Sequence, residues 1–567
     1  MTSSAAAEPI PASVPAGAGG LTLRDGVIIA LAGGAILGIG LGRQVMTFHE
    51  VLYSEPAREM LARHGWIIST FLGVPMVEKP PAIQWAVALA MAVFGRAEWV
   101  TRLPALVAAT VTALLTAQIA ARFISRRAGL IAGLVQLSVF YVQSQGRRAE
   151  PDMLLCAAVT AAMAAFIWGV IDEPVAAGAR PGFLFYLAAG LSFLPKGPIG
   201  PALIFPPCLL YASTWHGLPA RALAGTSARD RRALNFFLNP AGLLIFTVVV
   251  LAWPLAAYVV YPPSLSLVIR EHTLRLGETA ANQALPNWAV PKPWFFYLPT
   301  IVWVTLPWTP AVLMGLFGIR RRLWAGSIWR FLTLWLVSGT ILLSIPPSKH
   351  WHYIIPVMPP LSIVAAFGID EWIWSKWPRG RWYYKGLAAA TTVCGGAAAV
   401  MILALRSRLP AAGAISILVA VASLGLLAAL YLQWRQRPAL AAAALFAVVW
   451  VASIGANLTV VPHFQTYLSQ TEMARRIDAR LKDNQPIFLM GLHPSQIVWY
   501  LSMPLIEVRD VRQLGAAASR LGGSTILVLA QRSALEELAK LGSVTVADSC
   551  LTHHDPARSP ALFRVER

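Results

Sequence analysis

Long uncharged apolar runs decide what this chain can fold into. They include Leu103 to Ala121, Ala128 to Gly146, Met153 to Ile171, Pro293 to Ile319, Gly386 to Leu405 and Leu409 to Trp434. A helix of about 20 apolar residues spans the hydrocarbon layer of a bilayer. Of the 567 residues, 57% are apolar and only 13% are charged, against roughly 25% charged in soluble domains. An ordinary soluble enzyme is excluded, and a polytopic α-helical membrane protein is expected.

Charge then supplies orientation. Lys and Arg number 46 against 26 Asp and Glu, a formal net charge of +20. In a soluble chain that excess raises nucleic-acid binding. Here the bases fall in short clusters between apolar runs: Arg122, Arg126 and Arg127; Arg221, Arg229, Arg231 and Arg232; Arg320 to Arg322; Lys376, Arg379, Arg381 and Lys385; Arg435 and Arg437. All of them fit on one side of the membrane, as the positive-inside rule requires, so the excess orients the helices and no nucleic-acid partner is expected. This holds if the short run Pro80 to Gly95 lies in the interface instead of crossing, anchored by Trp85, Phe94 and Trp99. Spans are then expected near 26–42, 103–121, 128–146, 153–171, 183–195, 199–213, 239–260, 296–318, 327–346, 354–369, 386–405, 411–433 and 439–460. That is about 13 helices, and an odd number puts the termini on opposite faces.

Composition divides the chain into three parts. Residues 1–22 are rich in Ala, Pro, Ser and Gly and read as a disordered cytoplasmic tail. Residues 23–460 form the membrane domain, with juxtamembrane helices about 46–96. From 461 to 567 charges return, and β-rich runs (486–490, 525–529, 544–547, 562–565) alternate with helical ones (470–481, 511–521, 533–541), which predicts a small α/β domain on the outer face. Cys156, Cys208 and Cys394 lie in or beside apolar spans and Cys550 has no soluble partner, so no disulfide framework is expected. The His553-His554 pair reads as solvated surface, because adjacent residues do not converge on one ion.

The informative charges are those left outside, where a charge at the membrane boundary is costly unless paired or functional. The first outer loop holds His49, Glu50, Arg58, Glu59, Glu78 and Lys79; the second holds Arg147, Arg148, Glu150 and Asp152. Later loops supply Lys196, then Arg270, Glu271, His272 and Arg275, then Lys349, His350 and His352 with Tyr353. Carboxylates beside Lys, Arg and His suit the transfer of a group from a phosphorylated donor: the carboxylates act as base or metal ligands and the cations hold phosphate. Interfacial ion pairing is the plainer reading of any one of them, but the set recurs on one face only.

In order along the chain, His49 to Met60, Gly65-Trp66, Glu78-Lys79-Pro80-Pro81 with Trp85, Phe94-Gly95, Arg102-Leu103-Pro104, Asp152 to Leu155, Lys196-Gly197-Pro198, Glu271-His272, Pro293-Trp294 with Tyr297, Pro307-Trp308, and Lys349 with Tyr353 and Pro356 resemble the bacterial glycosyltransferases that group the lipid A aminoarabinose transferase with protein O-mannosyltransferases. The resemblance covers most of residues 20 to 370. It implies a GT-C membrane enzyme of the bacterial inner membrane, with a cytoplasmic N-terminus and a periplasmic C-terminal α/β domain. Such an enzyme moves a sugar from a polyprenyl (undecaprenyl) phosphate donor to a lipid, glycan or protein acceptor of the envelope, such as lipid A, with inversion.

In that family the first outer loop carries an Asp-Glu pair, then an Arg and a Tyr, and the Asp is regarded as catalytic. This chain has His49 at the Asp position, keeps Glu50, has Leu52 at the Arg position and keeps Tyr53. Three readings stay open: Glu50 or Asp152 is the catalytic carboxylate; His49 itself accepts the proton; or the acceptor is already ionised, or the chain is an inactive relative. The resemblance further implies donor-phosphate contacts from Lys79 and Tyr353, with Lys349 and Arg275 added on charge and position. It also implies a divalent metal (zinc, or magnesium or manganese) on Glu78 and His272, against pairing of Glu78 with Lys79 and a hydrogen bond from His272. The alternatives to an enzyme are a protein that only binds polyprenyl phosphate, and a transporter of lipid-linked sugar.

Overall fold

The computed structural model describes residues 20–567 except 78, 173–179, 217–227, 278–290, 320–326, most of 375–411, 463–469, 482–485, 492–496, 522–523, 550–558 and 567. The chain is a multi-pass membrane protein. Among the described residues seven helices are long and apolar enough to cross a bilayer: 23–43, 98–123, 152–171, 233–260, 351–371, 412–434 and 438–460. Tyr297–Val304 and Thr309–Ile319 make an eighth if their 114° bend lies within one span, and shorter apolar helices occupy Ala82–Phe94, Ile199–Ser213 and Ile328–Ser344.

The expected count of about 13 is therefore not reproduced. The span expected at 386–405 lies outside the described residues. The one expected at 128–146 is two pieces, α5 (Arg126–Ser138) and α6 (Phe140–Gly146), because Val139 adopts an extended conformation between them. The break in the 296–318 run is physical as well: Thr305 and Thr309 return their hydroxyls to backbone carbonyls of the preceding turn, Thr309 to Val302 at 2.5 Å, around a non-helical corner.

The membrane core is built on α1 (Leu23–Gly33), α4 (Glu98–Phe123), α5 and α7 (Asp152–Phe166). The inner face of α4 carries Ala105, Ala109, Ala113, Ala117 and Ala120, all fully buried. Without large side chains the backbones approach closely, which is how helices gain dispersion energy in a medium as apolar as themselves. A Cβ on Gly129 of α5 would stand 2.5 Å from Ala121 Cβ and 2.7 Å from the Ala117 carbonyl.

One end of this bundle is tied by ions. Arg122 binds Asp172 at 2.7 Å, Arg126 binds Asp25 at 2.7 Å, and Arg127 pairs with Asp370 while stacking on Trp374. The first of the expected basic clusters thus sits at a single end of α4. Arg102, one turn into the same helix, lies about 30 Å away along the axis, at 1.5 Å per residue.

At that opposite end the chain folds outside the spans. Helix α2 (Phe48–Arg63) leads to a hairpin, β1 (Ser69–Phe71) and β2 (Val74–Met76), joined at Leu72 and Gly73, both at positive φ. Glu59 of α2 accepts from Thr70 Oγ1 and the Gly73 amide, docking the hairpin. Helix α3 (Ala82–Phe94) follows and ends at Gly95, φ 81°.

The C-terminal sheet contains β3 (Ile487–Met490), β4 (Leu505–Val508), β5 (Thr525–Gln531), β6 (Ser543–Ser549) and β7 (Pro560–Glu566) in the order β4-β3-β5-β7-β6. Strands β4, β3 and β5 are parallel, and β7 is antiparallel to both neighbours. Four of these strands coincide with the predicted runs. β4 was not expected, since it is four residues long and carries Glu507. A second apolar cluster joins the sheet domain to α2 and α3: Met46, Val51, Met60, Ile83 and Val87 pack with Met473, Ile487, Val498, Trp499 and Leu527.

The small-residue seam makes a prediction. Gly129→Leu forces α4 and α5 apart, and overpacking of this kind costs about 1–3 kcal/mol. The melting temperature in detergent falls, whereas Gly34→Leu, where an added Cβ meets nothing within 4 Å, leaves it near the wild-type value.

Candidate functional site

The site gathers at the end of α4 and α7 opposite Arg122, Arg126 and Arg127. Its frame begins at Thr47, which caps α2: the Thr47 amide donates to Glu50 Oε2 at 2.9 Å and the Glu50 amide to Thr47 Oγ1 at 3.3 Å. This reciprocal capping box, Thr-x-x-Glu, fixes the start of the helix that bears His49, Glu50 and Tyr53.

Glu50 is 1% exposed and its oxygens are fully engaged. Arg102 grips it with two bonds, Nε to Oε1 at 2.6 Å and Nη2 to Oε2 at 3.1 Å, and the Ala149 amide adds a third at 3.2 Å. Arg102, itself fully buried, spends its remaining donors on the carbonyls of Leu41, Gln44 and Val45. Burial alone would raise the Glu50 carboxyl, but the Arg102 charge and its hydrogen bonds outweigh that and hold it below the ordinary range. Glu50 is thus an ionised structural anchor, and this geometry does not favour it as the proton acceptor.

Asp152, the first residue of α7, is 3% exposed and accepts from Lys196 Nζ at 2.6 Å. Lys196 is the last residue of α8 (Arg180–Lys196). Gly197 follows at φ 68°, a left-handed conformation that suits glycine, and its amide closes the helix on the Phe193 carbonyl at 2.6 Å. An anion at a helix N-terminus and a cation at a helix C-terminus are each favoured by the helix dipole. Lys196 Nζ also sits 4.4 Å above the Tyr353 ring, and that ring packs on His350 and His352.

His49 is exposed at the mouth of this group. Partial desolvation, with the charge of Arg148, lowers its imidazole pKa, so it is neutral at pH 7. Lys79 lies 3.7 Å from Glu271 and lines a pocket with Tyr53, Met76, Ile83, Gln84 and Pro195. Its charge is felt by both His49 and Asp152. Lys349 is buried and donates to the Lys292 carbonyl at 3.1 Å, making no hydrogen bond to the Asp152 group among the described residues. Glu78, and the side chains of His272 and Arg275 on the helix Ser264–Gly277, lie outside the described residues.

Glu150 is the residue to which sequence reading gave no role. It is 5% exposed, its Oε1 accepts no hydrogen bond, and Arg148 Nη1 stands 3.7 Å away. Burial pushes its carboxyl up to about 7, with Asp152 and Glu50 adding to the effect and Arg148 opposing it. Ligand atoms of Glu150, Asp152 and His352 all lie within 4.8 Å of one another. The Glu150-Pro151-Asp152 spacing was the available signal; the approach of His352 from a helix 200 residues away was not in the local sequence.

Residues 78–224 match the family model of dolichyl-phosphate-mannose-protein mannosyltransferases. The undecaprenyl phosphate-alpha-4-amino-4-deoxy-L-arabinose arabinosyl transferase of Edwardsiella ictaluri is 29% identical over 373 residues, covering 64% of this chain and 62% of the relative. That of Serratia proteamaculans is 29% identical over 57% of this chain and 55% of its own. The match thus spans about three-fifths of the curated relatives' length or less. In three dimensions the chain resembles ArnT from Cupriavidus metallidurans bound to undecaprenyl phosphate, with a TM-score of 0.73, 21% identity, and 94% and 97% of the two chains covered. The oligosaccharyltransferase of Archaeoglobus fulgidus shares the fold more distantly, at TM-score 0.51 and 12% identity over 91% of this chain and 69% of that one. The chain thus shares the GT-C fold of these structures, and its sequence is similar to aminoarabinose transferases over about three-fifths of its length and to the mannosyltransferase family over residues 78–224.

Proposed function

We propose that this protein transfers a sugar from a polyprenyl phosphate donor, of the undecaprenyl type named for its relatives, to an oxygen of an envelope acceptor such as lipid A. The observation that carries this reading is the buried Asp152–Lys196 pair beside a pocket lined by Lys79 and Tyr53. Carboxylate and phosphate-binding cation thereby meet at one end of the bundle, opposite Arg122, Arg126 and Arg127. That arrangement supports an outer-face site, with the N-terminus cytoplasmic and the domain 461–567 periplasmic.

In this mechanism Lys79, with Tyr353, holds the donor phosphate. The anomeric carbon–oxygen bond breaks, its electron pair passes to the phosphate, and Lys79 stabilises the developing charge. The acceptor oxygen forms the new bond from the opposite face, which inverts the anomeric centre. Asp152 orients the acceptor and takes its proton when the acceptor is a hydroxyl. Lys196 keeps Asp152 ionised and in place. An acceptor that is already a phosphate anion needs orientation only.

For the divalent ion, the donors supporting a site are Glu150, Asp152 and His352, two carboxylates and an imidazole, a set suited to zinc or manganese. Glu150 Oε1 is a buried acceptor with no hydrogen bond, and Lys196 occupies only Oδ1 of Asp152. An ion there would add positive charge beside the acceptor oxygen that Asp152 orients.

Three outcomes test these assignments. Asp152→Asn lowers transfer from undecaprenyl phosphate 4-amino-4-deoxy-L-arabinose by about 10²–10⁴-fold in reconstituted vesicles; wild-type turnover in that variant would sink the assignment. Glu50→Gln acts on folding instead: with Arg102 left uncompensated, stability drops by about 3–5 kcal/mol, read as a lower midpoint of unfolding in detergent. His352→Ala reduces zinc or manganese retained by the purified protein, measured by elemental analysis, and equal retention would dismiss the triad as ligands.

A further inference from the structure

The C-terminal domain reaches back to the site through two adjacent residues. The Met46 amide donates to Tyr500 Oη at 3.0 Å, and Met46 immediately precedes Thr47, the cap of α2. On the other side Arg96 donates to the Trp499 carbonyl and lays its guanidinium 4.9 Å from the Trp499 ring. Arg96 stands two residues before Glu98, the first residue of α4, and Glu98 pairs with Arg475 at 3.7 Å, whose guanidinium lies 5.4 Å from the Tyr500 ring. Trp499 is 3% exposed and belongs to the apolar cluster shared with Met46, Val51 and Val100.

These contacts fall on the starts of the two helices whose relative placement the site requires. α2 carries His49, Glu50 and Tyr53, and α4 carries Arg102, the partner of Glu50. A dipeptide in the C-terminal domain therefore bridges the starts of the same two elements that the Arg102–Glu50 pair joins. The Met46 amide lies just ahead of the helix and has no place in its ladder, so Tyr500 supplies the acceptor it needs.

We infer that the C-terminal domain is a positioning element of the transferase site, and that Tyr500 is the residue through which it sets the start of α2. The domain acts in cis on the geometry of His49 and Tyr53 and does not itself touch the reacting atoms. This inference rests on the transferase reading for its kinetic consequence, though its structural consequence is measurable without it.

The experiment compares wild type with Tyr500→Phe, which keeps the ring and its packing and removes the hydroxyl that binds the Met46 amide and Thr471. Turnover is measured with undecaprenyl phosphate 4-amino-4-deoxy-L-arabinose, and amide hydrogen exchange is followed at residues 47–50 and at 487–490. The expected result is a fall in kcat of about tenfold or more, as for a small misplacement of site groups. KM for the donor and the melting temperature stay unchanged, and exchange quickens at 47–50 but not at 487–490. Unchanged kcat, or a loss of kcat that tracks a lowered melting temperature, overturns the proposal. Arg96→Ala serves as a second variant if Tyr500→Phe fails to fold, with the same expected pattern. If wild type shows no turnover, the transferase reading fails, and unaltered exchange at 47–50 in both variants separately overturns the positioning role.

Discussion

The Arg102–Glu50 pair is the interaction on which the site end of the molecule depends. Two fully buried charges are costly to desolvate, and they persist because every strong donor of the guanidinium has an acceptor. Those acceptors come from the exit of the first span and from α2, and Glu50 Oε1 in turn accepts from the Ala149 amide of the second loop. One side chain thus registers three segments far apart in sequence. His49 and Tyr53 on α2, and Asp152 just beyond Ala149, take their places from that registration. A charge that in an outer loop looks available for chemistry is instead the fastening of the loop.

The division of labour among carboxylates follows from the same physics. Glu50 has as many donors as it can use and stays ionised. Asp152 has one cation and a helix N-terminus. Glu150, two residues away, has a guanidinium at 3.7 Å and an oxygen with no hydrogen bond, so burial dominates and its proton is held more tightly. Two glutamates and an aspartate within one small region are thus held in different states chiefly by their surroundings.

Much of this was legible in sequence. The long apolar runs announced the membrane helices because hydrocarbon solvates only apolar side chains, and Arg122, Arg126 and Arg127 marked one end of the bundle because charges there need water or partners. Asp152 and Lys196 were visible as outer charges. What local sequence did not carry was pairing over distance: Glu50 is claimed by a residue 52 positions later, and His352 meets Glu150 and Asp152 across the bundle. The Thr-x-x-Glu spacing from Thr47 to Glu50 carried the capping-box signal, but it was not drawn on, and Glu50 was read only for its chemistry. The break at Val139 and the corner between Val304 and Thr309 depend on how apolar segments pack, and apolar composition is blind to that.

Helix α7 and the turn that extends it to Ile171 are pinned at both extremities. Asp152 is bound by Lys196 at one end and Asp172 by Arg122 at the other, each within 2.7 Å. A slide of one helical turn, 5.4 Å, would break both bonds at once and carry two carboxylates past the apolar wall of Ala162, Met163 and Phe166. Piston motion along the membrane normal is thereby closed to this rod. The rod is thus a fixed ruler for the depth at which Asp152 stands.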